Sequence, residues 1–393
     1  MKEKINSKLK EFYELYNQSF DPNGHHSLYS GQSGVLLFRL YYQVYLNTPN
    51  PKLENDLVAF ISNQLETTAY RPAFANGIAG FAWFLQHLNV CGFIELDEEI
   101  LGHFDEDIIA SAKQELKGNN HDFMHGGLGA IVHLLQRYPH KLVLKETLIE
   151  LAQLLEKTGV KSDKGITWHE DSDYLEGEEN STVINFHISH GQASKILILT
   201  KMVEKGIGEV KPLLTDAIRF LLSYQDIETG LIPSRLVDNK KELKTHSGWC
   251  RSNIAIGLSL YQAALVLEDD LLAKKAIEIG LNTIDRSLEP GQMPSDATFC
   301  HGKIGISQMY NRYYQYTGVD AFKKAADQWM HFTLDSAVFE DGIAGFKSWN
   351  SVEGKWENKH GLLSGVAGIG LGLLTYISED ANASAWDAAL LLS

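Results

Sequence analysis

Cysteine is scarce in this chain. Only Cys91, Cys250 and Cys300 stand among 393 residues, a small odd number that excludes a disulfide-built scaffold and fits a reducing compartment. Basic charge is short as well: 35 Lys and Arg against 50 Asp and Glu leave a formal charge of −15. That balance argues against nucleic acid as a partner, because phosphate binding needs basic surface, and it favours a cationic segment in any peptide substrate. Long apolar runs are missing. The most continuous one, Leu362–Ile377, is broken by four glycines and falls short of a comfortable membrane span; it reads as a buried helix, and no transmembrane segment is expected. The opening stretch MKEKINSKLKEFYELYNQSF is charged throughout and lacks the apolar core of a secretory signal. A cytoplasmic location is expected. Strand-like alternation is nearly absent too, which leaves helices to build the fold.

What is present is a repeat. Ile5, Leu9, Phe12 and Tyr16 recur at helical spacing, so the chain opens with an amphipathic helix. A glycine-rich start followed by an apolar helix then returns seven times. The instances are SLYSGQSGVLLFRLYYQVYL, FANGIAGFAWFLQHL, MHGGLGAIVHLLQRY, ISHGQASKILILTKMV, GWCRSNIAIGLSLYQAALV, FCHGKIGISQMYNRYYQY and LLSGVAGIGLGLLTYI. Their reference positions are Gly31, Gly77, Gly126, Gly191, Ser252, Gly302 and Gly365, at intervals that suit one helix pair per repeat. Amphipathic helices are expected between them, for example at Leu53–Leu65, Leu142–Leu155, Val210–Tyr224, Leu271–Ser287 and Ala321–Leu334.

Apolar helices buried nearly all round and amphipathic ones outside them make two layers. Seven such pairs close on themselves, since an open array exposes apolar end faces. The expected fold is all-α: an α/α toroid, a double ring of seven inner and seven outer helices, forming one domain over 1–393. An open solenoid is the structural alternative. Gly342–Gly345 imitates the repeat start but is followed by FKSWNSVEG, and is expected as a loop or short hairpin. Two connections are long, 159–189 and 225–249, and long connections in a compact domain are often functional. The first carries Glu170, Asp171, Asp173, Glu176, Glu178 and Glu179, which also fits a plain solvated face.

In a closed ring the inner-helix N-termini gather at one end. His25, His26, Asp122, His125, His187, His190, His246, Cys250, Cys300, His301 and His360 all lie at repeat starts. Cys250 and Cys300-His301 hold equivalent places in adjacent repeats and so become neighbours. Two thiolates and an imidazole suit zinc, and three protein ligands leave a fourth position for water or substrate; buried free cysteines are the plainer reading. A substrate thiolate, rather than hydroxide, is the species expected in the open position. His190 is suited to moving a proton near neutral pH, or else lines the cavity as a hydrogen-bond donor. Asp122 orients an imidazole or substrate amide, or else caps a helix. Trp249 is expected in the wall of the site, and Cys91, without a histidine partner in its repeat, is expected to be structural.

With these residues in place, the sequence resembles the lanthionine synthetase C-like family, the cyclases of lanthipeptide biosynthesis. The resemblance spans the seven glycine-marked repeats, Asp122, His190, Trp249-Cys250 and Cys300-His301. It implies an α/α toroid with one zinc per chain on Cys250, Cys300 and His301. It also implies addition of a peptide cysteine thiol to dehydroalanine or dehydrobutyrine, with His190 and Asp122 in the family's acid–base and aspartate positions. The partners implied are a dehydrated precursor peptide with its leader, a separate dehydratase and an exporter complex at a membrane. Two departures stand out. The family's usual arginine four residues before the first zinc cysteine is His246 here, and its usual Tyr-Gly after Trp-Cys is Arg251-Ser252. His246 or Arg251 is expected to supply the missing charge to the developing enolate.

Three other readings remain open at this point: addition of glutathione or another thiol to dehydro residues, a non-catalytic zinc-containing peptide-binding scaffold, and a toroidal glycoside hydrolase. The last needs two facing carboxylates, and the repeat starts offer Asp122 alone.

Overall fold

The computed structural model describes residues 1–66, 71–138, 140–170, 181–243, 246–289 and 291–393. Its inner layer consists of α2 (Gln32–Leu46), α4 (Ile78–Val90), α7 (Gly127–Arg137), α9 (Gln192–Glu204), α11 (Asn253–Leu267), α13 (Lys303–Thr317) and α15 (Val366–Ile377). Outside them lie α1 (Lys2–Ser19), α3 (Pro51–Leu65), α6 (Asp105–Lys117), α8 (Leu144–Thr158), α10 (Lys211–Leu222), α12 (Asp270–Arg286) and α14 (Asp320–Asp335), with a short α5 (Glu98–Gly102) before α6. Composition explains the layering. In α4 every residue from Ile78 to Leu88 is buried, because neighbours surround it. In α1 only Ile5, Leu9, Phe12 and Tyr16 are buried, a single stripe with Lys and Glu on the remaining surface. Among the described residues the expected double ring of seven and seven is present.

The seven reference positions are the N-caps of the inner helices. Gly31, Gly77, Gly126, Gly191, Gly302 and Gly365 cap in extended conformation, and Ser252 caps α11 by accepting the Ala255 N–H at 3.3 Å. In five repeats a second glycine three residues on accommodates a carbonyl of the preceding turn. A Cβ at Gly305 would lie 2.0 Å from the Phe299 oxygen, and one at Gly368 only 1.8 Å from the Leu362 oxygen. The glycine pattern is therefore a backbone contact repeated around the ring.

A belt of main-chain hydrogen bonds joins the repeat starts. Cys250 N–H donates to Cys300 O (3.3 Å), Cys300 to Leu363 (2.8 Å), Leu363 to Tyr29 (2.9 Å), Tyr29 to Ala75 (3.1 Å) and Ala75 to Met124 (2.9 Å). Ser189 Oγ donates to Cys250 O at 3.0 Å. The link from Leu363 to Tyr29 joins the seventh repeat to the first, so the ring is closed and the open solenoid is excluded. Between the third and fourth repeats the contact is made by side chains, Asp122 and His190.

The long connections carry strands that the sequence pattern does not show. β1 (Val160–Ser162) and β2 (Gly165–Thr167) form a hairpin, and β3 (Val183–Asn185) pairs with β4 (Arg235–Val237), which pairs with β5 (Lys240–Glu242), all antiparallel. The two long connections thus meet in one small sheet over the third-to-fifth repeats. A further hairpin, β6 (Ser348–Asn350) with β7 (Lys355–Glu357), follows the expected loop at 342–345. The segment Ala381–Leu390 forms a 3-10 helix, and Leu390, Leu391 and Leu392 are fully buried.

Candidate active site

Cys250 lies in a single 3-10 turn, Trp249–Arg251, just before α11, and Cys300-His301 lies in the turn before α13. The two turns meet closely because residue 248 is glycine: a Cβ there would lie 2.6 Å from His301 Cα and 2.8 Å from Cys300 O. Trp249 is fully buried and donates its indole N–H to Leu390 O at 3.0 Å, which holds the turn from behind.

The ligand atoms of Cys250, Cys300 and His301 all lie within 4.8 Å of one another, with Cys300 Sγ 3.8 Å from His301 Nε2. A tetrahedral zinc with bonds of about 2.3 Å to sulfur and 2.0 Å to nitrogen needs ligand edges of roughly 3.5–3.8 Å. The cluster is close to that size. Its charges point the same way. Cys250 is drawn well below the usual thiol range by its hydrogen bond with Cys300, against burial, with help from His301. Cys300 is pushed well above that range by the same contact and by burial. Two thiolates cannot stand there together without a cation between them, so the residues fit a resident metal ion.

The second group is a histidine–carboxylate pair. Asp122 Oδ2 is 2.6 Å from His190 Nδ1, while Asp122 Oδ1 accepts the His125 N–H at 2.6 Å. Asp122 thus caps its own turn and orients the imidazole as well. Burial works against charge on both groups, yet the contact prevails: His190 is held above the ordinary histidine value and Asp122 below the usual carboxylate range. With Nδ1 engaged, Nε2 is the atom left for substrate.

His190 and Asp122 line a cavity of about 260 Å³ shared with Arg251, Glu170, Asn185 and Lys195. Arg251 therefore reaches the cavity directly. His246 donates its backbone N–H to Arg251 O at 3.2 Å and borders a different, smaller cavity with Ser252, Asn253 and Thr283. His125 stacks on His190 at 6.1 Å between ring centroids and also borders a neighbouring cavity of about 400 Å³ with His360 and Tyr29. His187 lies behind the site, fully buried and held neutral by burial first. His25 and His26 stack on each other at 4.6 Å.

Several members of the cavity, His121, His169, Asn185 and Lys195 among them, are not among the candidates at the repeat starts. Of the acidic stretch, for which both a functional connection and a solvated face are open, Glu170 is turned inward by β2 and its bridge to Val183; Asp171, Asp173, Glu176, Glu178 and Glu179 lie outside the described residues. Lys195 sits on the apolar helix α9 and is 2% exposed. A lone charge in ASKILIL was the available clue. Asn185, on β3, had none. The expectation that Cys91 has no histidine partner in its repeat also needs correcting. It is an exposed free thiol, and His87 Nε2 lies 3.6 Å from its sulfur, one helical turn earlier in the same repeat.

A closed α/α toroid with a thiolate–imidazole cluster and a histidine–aspartate pair at one mouth is the class of protein that fold and site define. The chain belongs to the lanthionine synthetase C-like protein family, which matches residues 22–391. Its fold is similar to that of nisin cyclase, at 18% identity and a TM-score of 0.74 over 99% of this chain and 96% of that one. Weaker similarity reaches D-mannose isomerase (12% identity, TM-score 0.43, 72% of this chain and 73% of that one). A sugar epimerase from a ruminal bacterium is comparably distant (12%, 0.44, 91% and 90%). A comparison with curated protein sequences finds no match.

Proposed function

We propose that this chain is a zinc-dependent cyclase of dehydrated peptides, forming lanthionine or methyllanthionine from a cysteine thiol and dehydroalanine or dehydrobutyrine. The observation that carries the reading is the meeting of the Cys250–Cys300–His301 cluster and the His190–Asp122 pair at adjacent repeat starts. One zinc per chain, when bound by those three residues, supplies an open position that favours a substrate sulfur as thiolate. Family membership and the fold shared with a protein named nisin cyclase support a peptide substrate.

The chain's own groups then divide the work. His190 accepts the thiol proton at Nε2, and Asp122 steadies the resulting imidazolium. The sulfur bonds to the β-carbon, the C=C π pair forms the new bond from the α-carbon to the carbonyl carbon, and the C=O π pair moves onto the amide oxygen. Arg251, at the cavity wall, faces that oxygen and offsets the developing charge. His190 returns its proton to the α-carbon, so the thiol S–H is spent on one new S–C and one new C–H bond. The cavities on either side of His125 give room for the two ends of a peptide held together, which lowers the entropic barrier. Dehydration by a separate protein, and work in the cytoplasm beside an exporter, belong to the same reading.

Metal content and thiol loss test it. Wild type purified without added zinc is expected to carry about one zinc per chain, lost in Cys250→Ala and Cys300→Ala, and to consume the free thiol of a dehydrated peptide. Zinc without thiol loss points to a binding scaffold. Addition of glutathione in preference to ring closure points to an intermolecular thiol transferase. A zinc-free wild type overturns the mechanism.

A further inference from the structure

Within the same cavity, Glu170 is a carboxyl group that the mechanism above leaves unused. It is placed firmly. Gln192 on α9 donates to Ile166 O at 2.9 Å and meets Thr167 Oγ1 at 3.1 Å, Trp168 donates to Leu155 O at 2.8 Å, and Glu170 N–H donates to Val183 O at 2.9 Å. Asn185 donates its side-chain N–H to Glu170 Oε2. The other oxygen, Oε1, is buried and has no hydrogen-bond partner among the described residues, on a side chain that lines the cavity. Since Oε2 is taken as an acceptor, a proton on this carboxyl belongs on Oε1, as the one unpaired donor.

Several charged or titratable groups surround it. Lys195 on α9 donates two of its three N–H groups to His190 O and Gly191 O, both at 3.3 Å. His190, on the turn before α9, is paired with Asp122, while His121, His125, His169 and Arg251 line the remaining walls. Burial is the largest influence on Glu170; Lys195 and His190 pull the other way, Asp122 adds to burial, and the group is pushed up to about 7. Below that pH the carboxyl is neutral and carries its donor. Above it the donor is lost.

We infer that Glu170 is a substrate-contacting catalytic acid of the hydrogen-bonding kind, donating from Oε1 to the amide oxygen of the dehydro residue as the enolate forms. This inference rests on the cyclase reading. The proton stays on Glu170 throughout; the proton that reaches the α-carbon comes from His190. A neutral carboxylic acid held beside a developing oxyanion stabilises it without bringing a like charge into the cavity, a use known for buried acids elsewhere. Together with Arg251 it gives the enolate two donors.

The test compares wild type, Glu170→Gln and Glu170→Ala, with zinc content and circular dichroism confirming intact protein. Gln keeps Asn185's acceptor and offers an N–H where Oε1 stood. The expected result is a Glu170→Ala turnover lower by about 10²-fold at pH 6.5, with Glu170→Gln within several-fold of wild type. The alkaline fall of the wild-type pH–rate profile near 7 is expected to vanish in Glu170→Gln. Infrared difference spectra read the carboxyl directly: a protonated C=O band that titrates near 7 is expected in wild type and absent from Glu170→Gln. A cyclising wild type without that band, or a Glu170→Ala protein as active as wild type, overturns the role of Glu170 alone. A wild type that shows the band but consumes no thiol at any pH overturns the cyclase reading and, with it, the role assigned here.

Discussion

At the scale of single residues, the contact between Asp122 and His190 is open to a sharp test. Asp122→Asn keeps an acceptor for the His125 N–H but removes the anion beside Nδ1. The aspartate holds His190 above the ordinary histidine value, so its neutralisation moves the imidazole pKa down, and the acid limb of activity moves to lower pH with it. Turnover is expected to fall by about 10²–10⁴-fold, the range of a misdirected general acid–base group. Titration of His190 by NMR checks the sign without reference to activity, and an unmoved His190 would mean that the pair does not act as one. The residues of this pair, like Cys250, Cys300 and His301, were legible because each stands at a repeat start, where sequence position dictates place in the ring. Glu170 and Lys195 were not. Lys195 offered only a lone charge in an apolar helix, and the inward turn of Glu170 depends on β2 and on its bridge to Val183, which nothing in the local sequence announces.

At the scale of elements, the inner helices were readable because their apolar content is nearly continuous and their caps recur. Outer helix α6 was harder: apart from Asp105 it buries only Ile108, Ala112 and Leu116, a stripe narrow enough to pass for polar chain. The strands span three residues each, too few for alternation to register, and β3 finds β4 from some fifty residues away. The repeated glycines yield a quantitative expectation. At Gly368 an added methyl would meet the Leu362 carbonyl at 1.8 Å, main chain against main chain, with no side chain to swing aside. Gly368→Ala is expected to cost about 1–3 kcal/mol or more, as overpacked cores do, measured as a lower urea midpoint at unchanged m-value. The control is Gly206→Ala, whose Cβ meets nothing within 4 Å. Its φ of +87° gives a conformational cost alone. A Gly368→Ala loss no larger than the control's would deny that the glycine pattern is a packing contact.

At the scale of the whole molecule, the ring is closed by its belt of hydrogen bonds but filled by the segment after α15. Asp387 is fully buried and ion-paired with Arg312: its oxygens meet Arg312 Nε at 2.8 Å, Arg312 Nη2 at 2.6 Å and Gln308 Nε2 at 2.7 Å. Tyr29 Oη donates to Ala389 O at 2.7 Å and Trp249 to Leu390 O. The segment therefore ties α13 to the first repeat and to the turn that carries Cys250. Asp387→Ala leaves the Arg312 guanidinium buried without its counter-charge, and breaking such a pair from one side costs about 3–5 kcal/mol. A fall of that size in unfolding free energy is expected. Faster loss of zinc to a chelator is expected alongside it, since Trp249 loses its anchor when the segment loosens. Replacing both partners with apolar residues, Asp387→Leu with Arg312→Met, separates the two consequences. If the pair matters only for charge balance, the double variant recovers most of the stability and the slow zinc release together. If stability returns while zinc release stays fast, the carbonyls of Ala389 and Leu390 set the position of the metal turn through register, and the segment is part of the site's framework rather than filler for the ring.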